Sequence, residues 1–162
     1  MSRRDPTARL HSILERLPVP DTPPRSLNTG CGEFPEHDLL AALWHDWLHV
    51  GIDIERHNLP RPHPCIVFVQ ADSAALPFAC GFSLIIIRHP DLDKYSERWQ
   101  VVLRNASSYV VCGGVLLVTV YALYERDFAA QYITMQPLEL NENALSAPDL
   151  TGHDRFVLAY VK

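Results

Sequence analysis

SLNTGCGEFPEHDLL, residues 26–40, is the stretch that decides the fold. Its opening residues read as a short strand from Arg25 to Cys31, and its end as the start of a helix from Pro35 to Leu48. Gly30 and Gly32 stand between the two. Glycine permits a sharp turn and lets a ligand approach the backbone closely. Pro35 near the first helical position, with Glu36 and Asp38 in the first turn, suits a helix N-terminus. Leu39, Leu43 and Trp47 form the apolar stripe of this helix, with Leu40 and Trp44 beside them. A strand, a glycine turn and a helix N-terminus at the carboxyl edge of a sheet make a binding site by physics alone. In isolation, Gly30 and Gly32 are equally a plain tight turn.

Upstream, Asp5 and Pro6 read as an N-cap and a first-turn proline. Leu10, Ile13, Leu14 and Leu17 then mark one helix face. Pro18, Pro20, Pro23 and Pro24 end it, so residues 1–24 form a helix and a Pro-rich linker, and residues 25–162 form the main domain. Downstream, strands are expected at His49 to Ile54, Cys65 to Ala71, Phe82 to Arg88 and Val115 to Tyr121. Helices are expected at Lys94 to Tyr109, with Tyr95, Trp99, Val102, Leu103 and Ala106 on one side, and at Tyr124 to Tyr132. Strands that alternate with helices and are apolar in their middles indicate a parallel sheet covered on both faces. Gln136 to Leu140 and Arg155 to Val161 follow without a clear helix, which predicts an antiparallel edge pair. Only 10 residues separate Ile54 from Cys65, and Pro60, Pro62 and Pro64 fall at that end, so a loop or single turn is expected there.

The bulk numbers bound the function. A chain of 162 residues, 48% hydrophobic, suits one domain with a sizeable core. A net charge of -5 does not favour a dedicated nucleic-acid binder. No apolar run approaches the roughly 20 residues of a membrane span, and MSRRDPTARLHS lacks the apolar stretch of a secretory signal. Cys31, Cys65, Cys80 and Cys112 are far apart and form no CxxC, which reads as reduced thiols in a cytoplasmic protein. His57, His63 and Cys65 read as a solvated loop, so no metal is expected.

Further acids fall at strand ends: Asp53 closes HVGIDIE and Asp72 closes VFVQADSAALPF. The ordered set LNTGCG, GIDI, QADSAALPF, FSLIII and CGGVLLVT resembles the class I S-adenosylmethionine-dependent methyltransferases, over about residues 25 to 132. That resemblance implies an α/β, Rossmann-like three-layer sandwich, its mostly parallel seven-stranded sheet having the last strand antiparallel. It implies S-adenosylmethionine as cofactor and methyl transfer to an unidentified acceptor; the alternative is a catalytically inactive binding or interaction module of the same fold. Gly30, Cys31 and Gly32 would line the methionine part, with Glu33 near the sulfonium or amino group. Asp53 would bind the ribose, Ile54 would pack on adenine, and Asp72 with Ser73 would meet the adenine amino group, although Asp72 in isolation reads better as a cap for the following turn. Arg88 and His89 would face the methionine end and the methyl. His89 is the one candidate for a general base; against it, Asp91 or Asp93 and Pro90 simply shape the start of the next helix. Asn28, also expected among the cofactor-binding residues, stands where the family often has an acid, and Phe34 where it often has a third glycine. Little chain is left for a substrate cap, which implies a large acceptor, a homo-oligomer or a partner protein that completes the site. A nicotinamide-dependent oxidoreductase is the distant third reading, because Phe34 and Pro35 follow Gly32 and break GxGxxG.

Overall fold

The run FSLIIIR has no polar face, so it folds as a strand covered on both sides. The computed structural model describes residues 7–57, 63–79, 81–148 and 151–162. Its strands are β1 (Arg25–Thr29), β2 (Leu48–Asp53), β3 (Ile66–Gln70), β4 (Phe82–Arg88), β5 (Val110–Val120), β6 (Gln136–Pro137) and β7 (Phe156–Val161). They form one seven-stranded sheet in the order β3-β2-β1-β4-β5-β7-β6, with FSLIIIR at its centre. The pairs from β3 through β5 are parallel, and β7 runs antiparallel to both β5 and β6. This is the mostly parallel sheet with an antiparallel last strand that the alternating pattern implied.

The helices are α1 (Ala8–Leu14), α2 (His37–Leu43), α3 (Leu92–Tyr109) and α4 (Leu123–Tyr132). Period-two alternation divides the core between the two faces of the sheet. Leu27, Ile85, Ile87, Leu116 and Val118 pack with Val102, Leu103 and Ala106 of α3 and Ala129 of α4. Leu84, Ile86, Val115 and Leu117 pack with Leu10, Ile13 and Leu14 of α1 and Leu40 of α2. Each fully buried aliphatic side chain in these clusters contributes about 1.5–3 kcal/mol.

Several boundaries differ from the sequence pattern. α2 ends at Leu43 rather than Leu48. The Trp44 carbonyl turns to accept from Nε2 of buried His49 at 3.0 Å, and the Nδ1 of that ring pairs with Ser26 Oγ at 2.8 Å. Leu40 is therefore the fully buried residue of α2, with Leu39 and Leu43 half-buried, and Leu48 opens β2. Gly113 and Gly114 lie inside β5 rather than before it: Phe82 pairs with Val110 but Leu84 with Val115, a bulge in β5. β6 is shorter than expected, Gln136–Pro137, with one further backbone bond beyond it from Leu138 N to the Ala159 carbonyl at 2.8 Å. α3 starts at Leu92 because Asp91 Oδ1 accepts from Lys94 N at 3.1 Å, and it kinks at Tyr95. No helix occurs in the described part of the β2–β3 connection, residues 54–57 and 63–65. Asp5, Pro6, Pro60, Pro62 and Cys80 lie outside the described residues.

Candidate functional site

Strand order reverses where β2-β1 meets β4, and there the carboxyl ends of the strands part. A cavity of about 250 Å³ opens at that edge. The turn after β1 supplies Gly30, the end of β2 supplies Asp53 and Ile54, and the segment after β3 supplies Asp72 and Ser73. His89 follows β4, Asp91 caps α3, and Tyr95, Arg98, Trp99 and Val102 come from α3 itself.

Two loops are tied together at Asp53. Its Oδ2 accepts from Gly32 N at 2.8 Å, and its Oδ1 from Glu55 N at 3.0 Å. Each carboxylate oxygen keeps a lone pair for a ligand hydroxyl. Gly30 adopts φ +61°, and a Cβ built there would lie 2.7 Å from the Trp99 ring, so only glycine fits beneath this indole. Asp72 is held in a fork: Arg98 donates from Nε at 3.0 Å and from Nη2 at 2.5 Å, and Ala74 N donates at 2.9 Å. The hydrogen bonds from Arg98 hold the Asp72 carboxyl below its usual range.

No protein-family model matches the sequence, and no curated protein sequence matches it. Solved methyltransferases share the architecture. N-methyltransferase NodS from Bradyrhizobium japonicum WM9 superposes with a TM-score of 0.65 at 14% identity, over 99% of this chain and 97% of that one. The same enzyme in complex with S-adenosyl-L-homocysteine gives 0.61 at 18% identity, over 93% of this chain and 83% of that one. The aminoglycoside resistance methyltransferase NpmB1 gives 0.61 at 19% identity, over 93% and 92%. This chain has the class I S-adenosylmethionine-dependent methyltransferase fold.

In this methyltransferase fold, Gly30, Asp53, Ile54, Asp72, Ser73 and His89 line the cavity. Asn28, Cys31, Gly32, Glu33 and Arg88 do not. Asn28 is buried in β1, and neither its Oδ1 nor its Nδ2 has a partner. Cys31 packs with Phe34 and Leu40; burial, then the nearby charges of Asp53 and Glu36, push its thiol up. Gly32 acts through its N–H on Asp53, and Glu33 is exposed. Arg88 shares the α1/α2 side of the sheet with Leu84 and Ile86, as period two dictates. It donates from Nε to Asp154 Oδ1 at 2.9 Å and from Nη2 to Oδ2 at 2.8 Å, and Glu36 lies 3.9 Å away. Arg88 is thus committed to a buried ion pair rather than to the cavity.

Phe34, at the position of the missing third glycine, adopts φ +54° and is fully buried. Its ring covers Gly51, where a Cβ would lie 2.6 Å from Phe34 Cδ1. It therefore packs under the turn and is not among the cavity residues. Sequence reasoning missed Arg98 and Asp154 as partners. Tyr95, Trp99 and Val102 were signalled only as a helical stripe, which the fold turns toward the cavity.

Proposed function

We propose that this chain binds S-adenosylmethionine at the β1–β4 edge and transfers its methyl group to an acceptor. One observation carries the reading: the Asp53 carboxylate and Gly30 line one cavity at the point where strand order reverses. The donor set suits the cofactor. Asp53 offers anionic acceptors for ribose hydroxyls, and Ile54, 54% exposed beside it, offers an apolar surface for a base. Asp72 and Ser73 offer polar groups for an adenine edge. When bound, the cofactor supplies an activated methyl carried on a sulfonium, so the protein's task is chiefly to hold and orient the reactants. Trp99 and Val102 offer the cavity an apolar wall. The free thiols of Cys31, Cys65 and Cys112 support a cytoplasmic setting.

A binding module without turnover is the competing reading. The Arg98 fork on Asp72 favours it, because that carboxylate already has partners. Calorimetry with S-adenosylhomocysteine tests the binding claim. Binding in the micromolar range is expected, weakened about tenfold or more in Asp53→Ala by loss of hydrogen bonds to a charged group. An absence of binding at millimolar ligand, or NADH binding in its place, removes the proposal. Slow conversion of the cofactor in the presence of an acceptor panel then separates enzyme from module.

A further inference from the structure

Another cavity, of about 350 Å³, lies at the amino ends of β1 and β2, across the sheet from the carboxyl-end site. Two short segments make it: Asp21 and Pro24 of the linker before β1, and the stretch from Leu43 to Trp47 at the end of α2. It shares no residue with the carboxyl-end cavity. β1 is five residues long, so at about 3.3 Å per residue the strand holds the two sites roughly 17 Å apart.

The turn that builds this cavity is fixed from the core. The Trp44 carbonyl accepts from the Trp47 N–H at 3.0 Å and from Nε2 of buried His49 at 3.0 Å. The Leu48 N–H donates to the Pro24 carbonyl at 2.9 Å, which fastens the linker to the same turn. Trp47 is 4% exposed and packs in the core on the α1/α2 side. Trp44 stacks on it, with ring centres 5.2 Å apart and planes at 22°. Trp47 thus covers one face of the Trp44 indole, and Trp44, half-buried, lines the cavity.

The rest of the lining is aliphatic and acidic. Leu43 and Pro24 supply the apolar surface, and Asp21 and Asp46 supply exposed carboxylates from the two different segments. Among the described residues, no lysine or arginine lines this cavity; His45, 3.0 Å from Asp46, is the one lining group that can gain a positive charge. The face of an aromatic ring is the negative pole of its quadrupole, and among side chains indole attracts a cation best. Two carboxylates at the rim add a field of the same sign. An indole already held by a neighbour loses little freedom on binding, so the platform is pre-organised. Aliphatic walls suit a cation that carries methyl groups rather than a tightly held water shell.

We propose that this cavity is a binding site for a small organic cation, an alkylated ammonium group seated on Trp44 between Asp21 and Asp46. The proposal stands apart from the methyltransferase reading, because none of its residues lines the cofactor cavity.

The chain has three tryptophans, and the third, Trp99, lines the carboxyl-end cavity. Indole N–H signals of the whole protein labelled with nitrogen-15 therefore tell the two sites apart, with Trp44→Phe and Trp99→Phe for assignment. The probe is choline, compared with its uncharged carbon isostere dimethylbutanol, at about pH 8, where histidine is neutral. Choline should move the Trp44 signal saturably with millimolar affinity, and the alcohol should bind at least about fivefold more weakly. Asp21→Asn combined with Asp46→Asn changes only exposed side chains and should weaken choline about threefold or more. Unchanged affinity in that variant overturns the proposal, as does equal binding of choline and the alcohol by the wild type. A choline shift confined to Trp99 puts the cation in the other cavity and overturns it too. So does the absence of any saturable shift at about 100 mM choline, a limit weaker than a millimolar site allows. Failure of the same protein to bind S-adenosylhomocysteine bears on the cofactor reading alone.

Discussion

Replacing Asp154 tests the centre of the buried polar network. The Asp154 side chain is 0% exposed and that of Arg88 is 7% exposed. In Asp154→Asn the amide keeps the volume of the carboxylate but not its charge, and Glu36 at 3.9 Å remains as an anion near Arg88. Removing one member of a buried pair costs about 3–5 kcal/mol, because the other charge remains in a poorly solvating interior. The Glu36 carboxylate moves the expected loss toward the lower end of that range. A domain of this size is stable by about 5–15 kcal/mol, so the loss is a large share of the total. At about 2–4 °C per kcal/mol, the melting temperature should fall by roughly 6–20 °C. Urea titration followed by circular dichroism, with thermal scans at neutral pH, measures both quantities. The pair Arg88→Met with Asp154→Asn should recover part of the stability, since it removes both charges together and keeps at 154 a residue that tolerates φ +52°. A loss below about 1 kcal/mol in Asp154→Asn, or a double variant as unstable as the sum of the singles, would refute the buried-pair argument.

Three other perturbations address separate parts of the molecule. Gly51→Ala forces a Cβ to within 2.6 Å of the buried Phe34 ring and should cost about 1–3 kcal/mol by urea titration; no change would mean that the ring is free to move. Arg98→Ala frees Asp72 from its fork and should raise S-adenosylhomocysteine affinity a few-fold in calorimetry, whereas weaker binding would make Arg98 a ligand contact. His49 is pushed down from its ordinary 6.5, chiefly by burial, so the folded state holds it neutral while the unfolded chain takes up a proton near 6.5. Its contribution is fully present above that pH and is lost as pH falls below it. Melting temperature should therefore drop between about pH 7 and pH 5, less so in His49→Gln, and equal slopes in the two proteins would exclude His49 as the cause.

What could be read from the sequence was what local physics controls. FSLIIIR gave the bounds of β4 because a run apolar through its middle has one reading between flanking turns. Gly30, Asp53 and Asp72 were found because each sits at a strand end, a place that alternation alone locates. The end of α2 was not found, since Trp44 and Trp47 prolong the apolar spacing while a hydrogen bond to buried His49 ends the helix. Arg88 was directed to the cavity by its nearness to His89, although period two turns it to the other side of the sheet. Asp154 gave no local signal at all. Its partners Arg88 and Thr119 lie 66 and 35 residues away, and only the packing of β7 on β5 brings them together. Arg98 likewise meets Asp72 across 26 residues, and no periodicity encodes a pairing at that distance.

The position of β7 bears on how the protein is made. β7 fills an inner slot between β5 and β6, yet it is translated after both. Until it emerges from the ribosome, the long β5 is an open edge with unpaired backbone groups, and Arg88 has no carboxylate from Asp154 to neutralise it. The half of the sheet from β3 to β4 can form during synthesis, whereas the other half must wait. A nascent chain that stalls before β7 therefore exposes a sticky strand, a state that chaperones and proteases recognise. Insertion of β7 joins β5 to β6 and brings Asp154 to Arg88 in one event, so a chain that has finished folding is also one whose buried ion pair is complete.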